Sequence, residues 1–325
     1  MRSAPTFRSD GVPADDPAGW SCRLPAGPVL FHIHHQLRYS YERPVFLEPH
    51  TLRLTPRQER GQHLLQHRLA IDPEPSGRTA VLEAEGGEAE LLWFNDPRQQ
   101  LVITVTSLVE TLRSNPFDWI LSEPLAQHLP MRYSPELARA LEPCLAGPVA
   151  APVQRWARER AAEVDDRSTA LLMHLADHIH QEFHHLGRPD GAPLAAADTL
   201  ASRSGACRDT AMLYVEACRS LGLAARFVSG YSMHHPPEVS EHELHAWAEV
   251  YLPGGGWRAY DPSLGLAVAD GHVALTAAAD PRLAAPLSGT YRGSAVSAAM
   301  DYSVRVRAAA SLAELELGAD APAAD

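Results

Sequence analysis

The chain has 325 residues and a formal net charge of −12 with histidine neutral, and its Lys and Arg residues are scattered. This length suits two domains of ordinary size, and the charge balance argues against a nucleic-acid partner or any other anionic one. No apolar run of about 18 residues is available to span a bilayer, so no membrane association is expected.

Residues 1–27 (MRSAPTFRSDGVPADDPAGWSCRLPAG) lack an apolar secretory core and are rich in Pro, Asp, Ser and Gly. They read as a disordered tail, and the expected compartment is the cytoplasm. From residue 28 to 112 the pattern is strand-like. In FHIHHQLRYSY, Phe31, Ile33, His35, Leu37 and Tyr39 alternate with mostly polar neighbours, and HTLRL, GQHLLQHRLAI, ELLWF and LVITVTSLV follow between Gly and Pro clusters. This predicts an N-terminal antiparallel β-sandwich domain.

Residues 113–151 then read as a helical linker that includes SPELARALEPCL, and PVQRWARERAAEV continues the helical region. A second domain is assigned to 152–307 and a C-terminal tail to 308–325. Ser168 to His185 repeats Leu171, Leu172, Leu175, Ile179 and Phe183 at helical spacing, with one buried stripe. Its pairs His174 with His178 and His180 with His184 have zinc-ligand spacing, but no carboxylate completes an HExxH, and they read as solvated polarity. The four cysteines, Cys22, Cys144, Cys207 and Cys218, contain no CxxC pair and indicate neither a zinc cluster nor a disulfide framework. No metal and no cofactor are expected.

Residues 198–203 suggest a short helix, and Ser204-Gly205-Ala206 a turn that delivers Cys207 to the start of CRDTAMLYVEACRSLGL. Ala211, Tyr214, Val215, Cys218 and Leu221 share its helical side, with Gly222 as the stop. A free cysteine is ordinarily a small buried hydrophobe, which is the reading for Cys218. At a helix N-terminus, however, the dipole and unpaired N–H groups favour a thiolate and can also receive an oxyanion.

ARFVSGY and ELHAWAEVYL read as strands, and PGGG reverses the chain into WRAYDP. His245, Trp247, Glu249 and Tyr251 occupy one face of the longer strand, a polar-aromatic one. Asp261 shares that face if paired residue numbers sum to an even value, as in Ala248 with Tyr260. His245 then lies one diagonal step from Asp261, and a nucleophile, base and orienter come together as Cys207, His245 and Asp261.

SGACRDTAMLYVEACRSLGLAARFVSGY and HAWAEVYLPGGGWRAYDPSLG resemble the catalytic core of bacterial transglutaminase-like proteins. The order Cys, His, Asp at intervals of 38 and 16 residues suits that superfamily, LSGTYRG resembles its C-terminal part, and YSYERPVFLEPHTLRLTPR is similar to its N-terminal domain. The resemblance implies an α+β fold, with the cysteine helix packed on an antiparallel sheet as in papain-like proteases. It implies cleavage or transfer of an amide or isopeptide acyl group through a Cys207 thioester.

The expected substrate is a peptide or protein amide. Hydrolysis is favoured, since water is the default acceptor unless excluded, and an amine is the other acceptor. Arg208, Tyr231, Trp247 and Tyr291 are candidates to line the cleft, and Asp209 reads as a structural acid in the first helical turn. No acidic calcium loop is present. Two other classes compete: an arylamine N-acetyltransferase-like enzyme, whose cysteine typically lies nearer the start of the chain, and an inactive binding module, which would tolerate loss of a triad member.

Overall fold

The computed structural model describes residues 28–188, 191–234, 244–294 and 296–317. The tail expected at 1–27, Cys22 and the end of the chain from 318 lie outside the described residues. The fold is α+β, and its three larger sheets are antiparallel.

In chain order, six strands come first: β1 (Val29–Leu47), β2 (His50–Leu52), β3 (Gln62–Asp72), β4 (Gly77–Leu82), β5 (Glu88–Trp93) and β6 (Arg98–Thr111). Helices α1 (Pro135–Ala140), α2 (Glu142–Leu145), α3 (Ala151–Ala162) and α4 (Ser168–Glu182) follow. The short strand β7 (His184–His185), helix α5 (Ala196–Ser202), the short strand β8 (Ser204–Gly205) and helix α6 (Cys207–Ser220) lead to β9 (Ala225–Ser232). After β9 come β10 (His245–Leu252), β11 (Gly256–Asp261), β12 (Leu266–Ala267) and β13 (His272–Ala278). The chain closes with β14 (Leu287–Ser288), β15 (Tyr291–Arg292), β16 (Ala298–Ala309) and helix α7 (Leu312–Leu317).

The alternation in β1 places Phe31, Ile33, His35 and Leu37 inside, and β6 contributes Leu101, Ile103, Val105 and Val109 to the same apolar cluster. Leu52 of β2 and Leu92 of β5, from the second N-terminal sheet, join that cluster. Tyr231 of β9 and Val273 and Leu275 of β13 join it too, so the N-terminal core is continuous with the sheet that follows.

Three boundaries differ from the sequence reading. The N-terminal domain is not one segment, because β16 pairs with β1 from Leu30↔Ala309 to Tyr41↔Ala298, and β14 and β15 pair with β2 and β1. Residues up to 309 are therefore sheet, not tail. The physical reason is that β1, long and apolar on its inner face, is paired by β6 on one side only and would otherwise leave a ladder edge open. Between 113 and 134 there is no α-helix, only a 3₁₀ turn at Pro124–Ala126. Helix α4 ends at Glu182 because Phe183 turns extended, and the next two residues pair in parallel with Ser204-Gly205 instead of continuing the helix.

The sheet that carries the site has the order β12-β11-β10-β9-β13, and α6 packs on β10 and β9. Ala211, Tyr214, Val215, Cys218 and Leu221 are all buried, as their spacing predicts. The Tyr214 ring stacks on Tyr260 at 6.0 Å, and its hydroxyl donates to the Leu172 carbonyl at 2.8 Å. Gly222, at φ +80, ends the helix in the left-handed region.

Candidate active site

Cys207 is the first residue of α6. It is delivered there by Arg203 in the left-handed region (φ 49), by the β8 pairing and by Gly205. A Cβ on Gly205 would stand 2.8 Å from the Cβ of Asp209, so only glycine allows the strand to run this close to the helix. Asp209 is wholly buried. Its Oδ2 accepts from the Ala206 N–H at 2.8 Å, and its Oδ1 accepts from the Leu194 N–H at 2.8 Å and Arg188 at 2.6 Å. This side chain ties the helix start to the segment before α5.

Across β10 and β11, Ala248 pairs with Tyr260 and Leu252 with Gly256, the even-sum register. His245 and Asp261 consequently face each other, and His245 Nε2–H donates to Asp261 Oδ2 at 2.6 Å. Cys207 makes a side-chain hydrogen bond with the same imidazole. With Nε2 occupied by the carboxylate, Nδ1 is the nitrogen left for the thiol. Both faces of β10 are buried except at Tyr251, so the polar-aromatic face is an interior surface, not a solvated one.

Burial alone would lower the His245 pKa, but the Asp261 carboxylate beside it, with the bond between them, holds the ring well above the ordinary imidazole range. Burial would likewise raise Asp261. The charge and hydrogen bond of His245, with a second bond from His272, hold it far below the usual carboxylate range. Its Oδ1 accepts from the Ser263 N–H at 3.0 Å, the Ser263 hydroxyl at 2.7 Å and the Leu264 N–H at 3.2 Å.

Cys207 and His245 open on a cleft of about 480 Å³ lined also by Arg208, Phe227, Leu244, Met300 and Tyr302. His35, Leu37 and Tyr39 of β1 form its far wall, so both ends of the chain contribute to it. Of the four candidate lining residues, Arg208 is at the cleft and three are not. Tyr231 is wholly buried in the N-terminal core with its hydroxyl 2.9 Å from His35 Nδ1. Trp247 packs against His272 at 5.1 Å between ring centroids. Tyr291 pairs with Leu47 and donates to the Val296 carbonyl at 2.9 Å. Tyr231 shares a sheet face with the cleft-lining Phe227 and Ser229, and Trp247 shares one with His245, so it is the cover of β1 over the end of β9 and of His272 against Trp247 that keeps these rings from the cleft.

His272 escaped sequence reading. Its Nε2 lies 3.0 Å from Asp261 Oδ2, and its only sequence signal is its place at the head of the apolar run HVALTAA, which forms the wholly buried β13. Ligand atoms of His245, Asp261 and His272 all lie within 4.8 Å of one another, yet the two short contacts to Oδ2 are those of hydrogen bonds. The histidines of α4 are engaged individually: His174 with Glu163 at 2.7 Å and His180 with the Ser263 carbonyl at 2.9 Å.

A buried carboxylate, an imidazole and a thiol in hydrogen-bonded sequence, at the edge of a cleft in an α+β fold, define a class of thiol site. Residues 31–110 match the Bacterial transglutaminase-like N-terminal region and residues 154–262 the Transglutaminase-like superfamily. The chain belongs to the transglutaminase-like superfamily, with the bacterial N-terminal region ahead of the core. Uncharacterised protein Rv2569c of Mycobacterium tuberculosis is 27% identical over 308 residues, covering 88% of this chain and 95% of its own length. Uncharacterised protein ML0607 of Mycobacterium leprae is 25% identical over 272 residues, covering 80% and 92%. A crystal structure from Cytophaga hutchinsonii, described as a candidate cysteine protease, shares the fold with a TM-score of 0.66 at 20% identity, covering 87% of this chain and 91% of that one.

Proposed function

We propose that the chain is a thiol-dependent acyl-transfer enzyme acting on a peptide or protein amide, with hydrolysis as its main outcome. The observation that carries this reading is the hydrogen-bonded series Cys207, His245, Asp261 at the mouth of the cleft. In the first half-reaction the Cys207 thiolate attacks the amide carbonyl carbon, and the oxyanion is received by N–H groups of the first turn of α6. Cys207 and Arg208 are the first two residues of that turn, where the helix dipole favours an anion. The His245 imidazolium gives its proton to the leaving nitrogen, the C–N bond breaks, and a Cys207 thioester remains.

Water then attacks the thioester carbonyl as His245 takes its proton. The C–S bond breaks, and acid and thiolate are released. An amine in place of water gives the transfer product by the same steps. Asp261 keeps the imidazole turned toward the sulfur and stabilises its charged form.

The decisive experiment profiles peptide amides, γ-glutamyl compounds and amine acceptors against the parent and Cys207→Ala, with mass spectrometry of the trapped enzyme. An acyl adduct on Cys207 that decays to free acid is the expected result. Turnover persisting in Cys207→Ala would overturn it.

A further inference from the structure

We propose that His272 is a positioning residue of this site, fixing Asp261 and moderating its pull on His245. The proposal rests on the acyl-transfer reading above. His272 opens β13 at the sheet edge, and its Nε2–H donates to Asp261 Oδ2, the oxygen that also receives His245. With Ser263 and Leu264 on Oδ1, the carboxylate accepts from five donors and has no lone pair left for reorientation.

The groups that face His272 are few. Asp261 comes from β11, His245 from β10 with ring centroids at 5.8 Å, and His234 from the segment after β9 at 6.4 Å, while Asp270 lies two residues ahead. Trp247 packs edge-on against its ring, and Arg57, Arg113 and Glu249 share a neighbouring recess, Glu249 being neutralised by Arg57 and Arg226. Burial lowers the proton affinity of His272 despite the nearby carboxylate, so near neutrality the ring is an uncharged donor.

An uncharged donor on Oδ2 spends part of the carboxylate's acceptor strength. Without it the whole of that strength falls on His245, which becomes more basic, and its imidazolium becomes a poorer acid toward the leaving nitrogen. A residue that merely filled space would leave the His245 titration unmoved.

The test is imidazole ¹⁵N NMR titration, with turnover, on the parent, His272→Phe and His272→Gln in the intact chain. In His272→Phe the alkaline midpoint of His245 should rise by about 0.5 or more, and kcat should fall about 10–100-fold with KM within about twofold. His272→Gln, whose amide N–H has similar reach, should return both toward the parent. Should the Phe variant not fold, His272→Asn, whose amide falls one bond short of Oδ2, replaces it with the same expectation. A folded donor-less variant with the parent's His245 midpoint overturns the proposal. The titration needs no substrate, so Cys207→Ala that still turned over would overturn the acyl-transfer reading while the titration still decided the role of His272.

Discussion

Ala248 stands opposite Tyr260 across the β10–β11 ladder, and this pairing puts Asp261 on the face of the sheet that carries His245. A slip of one residue would turn the carboxylate to the other face and leave the imidazole without its partner. The contact tests cleanly, because asparagine retains the Oδ1 acceptor used by Ser263 and Leu264 but presents an uncharged group to the ring. Asp261→Asn should keep its fold by circular dichroism and lose about 10²–10⁴ in kcat on a validated amide substrate, by analogy with other triads. Parent-like turnover would remove Asp261 from the site. Glu249, on the same strand face, does not stand in for it, since Arg57 at 2.7 Å and Arg226 at 2.6 Å engage both its oxygens.

The three described cysteines should part company in alkylation. Cys207 and Cys144 are almost equally covered, at 8% and 7% exposure, so access does not separate them. Chemistry does: burial pushes the Cys144 thiol up, and Cys218, wholly buried, is pushed up further, whereas Cys207 bonds an imidazole. Iodoacetamide followed by peptide mapping should label Cys207 first, by at least about tenfold. Equal rates at the three sites in folded protein would contradict the proposed activation.

Acid stability should be governed in part by Glu249. Burial would raise its pKa, but the guanidinium groups of Arg226 and Arg57 hold it down to about 2. Against an ordinary value of about 4.3, this depressed group contributes stability that is present above about 4.3 and lost as pH falls through about 2. His245, raised in the folded state, has the opposite sign: its contribution is present below about 6.5 and lost as pH rises through the raised value. In Glu249→Gln, urea denaturation at pH 7 should show a loss of about 3–5 kcal/mol from the stranded arginines, and the decline between about pH 4 and 2 should flatten. A variant curve parallel to the parent's through that window would refute this assignment.

The approach of Cys207, His245 and Asp261 was legible because each sits on a local device that sequence writes directly: a Gly-Ala-Cys helix start, a period-2 strand and a glycine reversal whose length sets the register. The partners of those residues were not. His272 reaches Asp261 only because β13 adds beside β9, a non-local pairing that no interval along the chain encodes. Tyr231 shows the converse. Its aromatic character beside the strand of His245 suggested the cleft, but β1, nearly two hundred residues away, covers this end of β9 and sets His35 against the Tyr231 hydroxyl. Strands β4 and β13 escaped because neither alternates: β4 is exposed along most of its length, and β13 is buried throughout.

The transglutaminase-like core should not stand alone, although Cys207, His245 and Asp261 all lie within it. Tyr231, Val273 and Leu275 are buried against Phe31, Ile33 and other N-terminal side chains, and exposing each would cost about 1.5–3 kcal/mol. The link is polar as well. Gln62 Nε2 donates to the Ala274 carbonyl at 2.9 Å, the Ala274 N–H donates to Gln62 Oε1 at 2.7 Å, and the Arg57 N–H donates to the same carbonyl at 2.9 Å. Without the N-terminal strands, β13 loses these partners at the sheet edge, and Glu249 loses Arg57. A chain limited to residues 113–294 should therefore aggregate or melt without a cooperative transition, and its Cys207 should lose its advantage in alkylation. The intact chain should unfold in one transition. A soluble 113–294 fragment with a sharp melt and parent-like labelling of Cys207 would mean that β9 and β13 hold the site without β1, and that the shared core adds only the cleft wall.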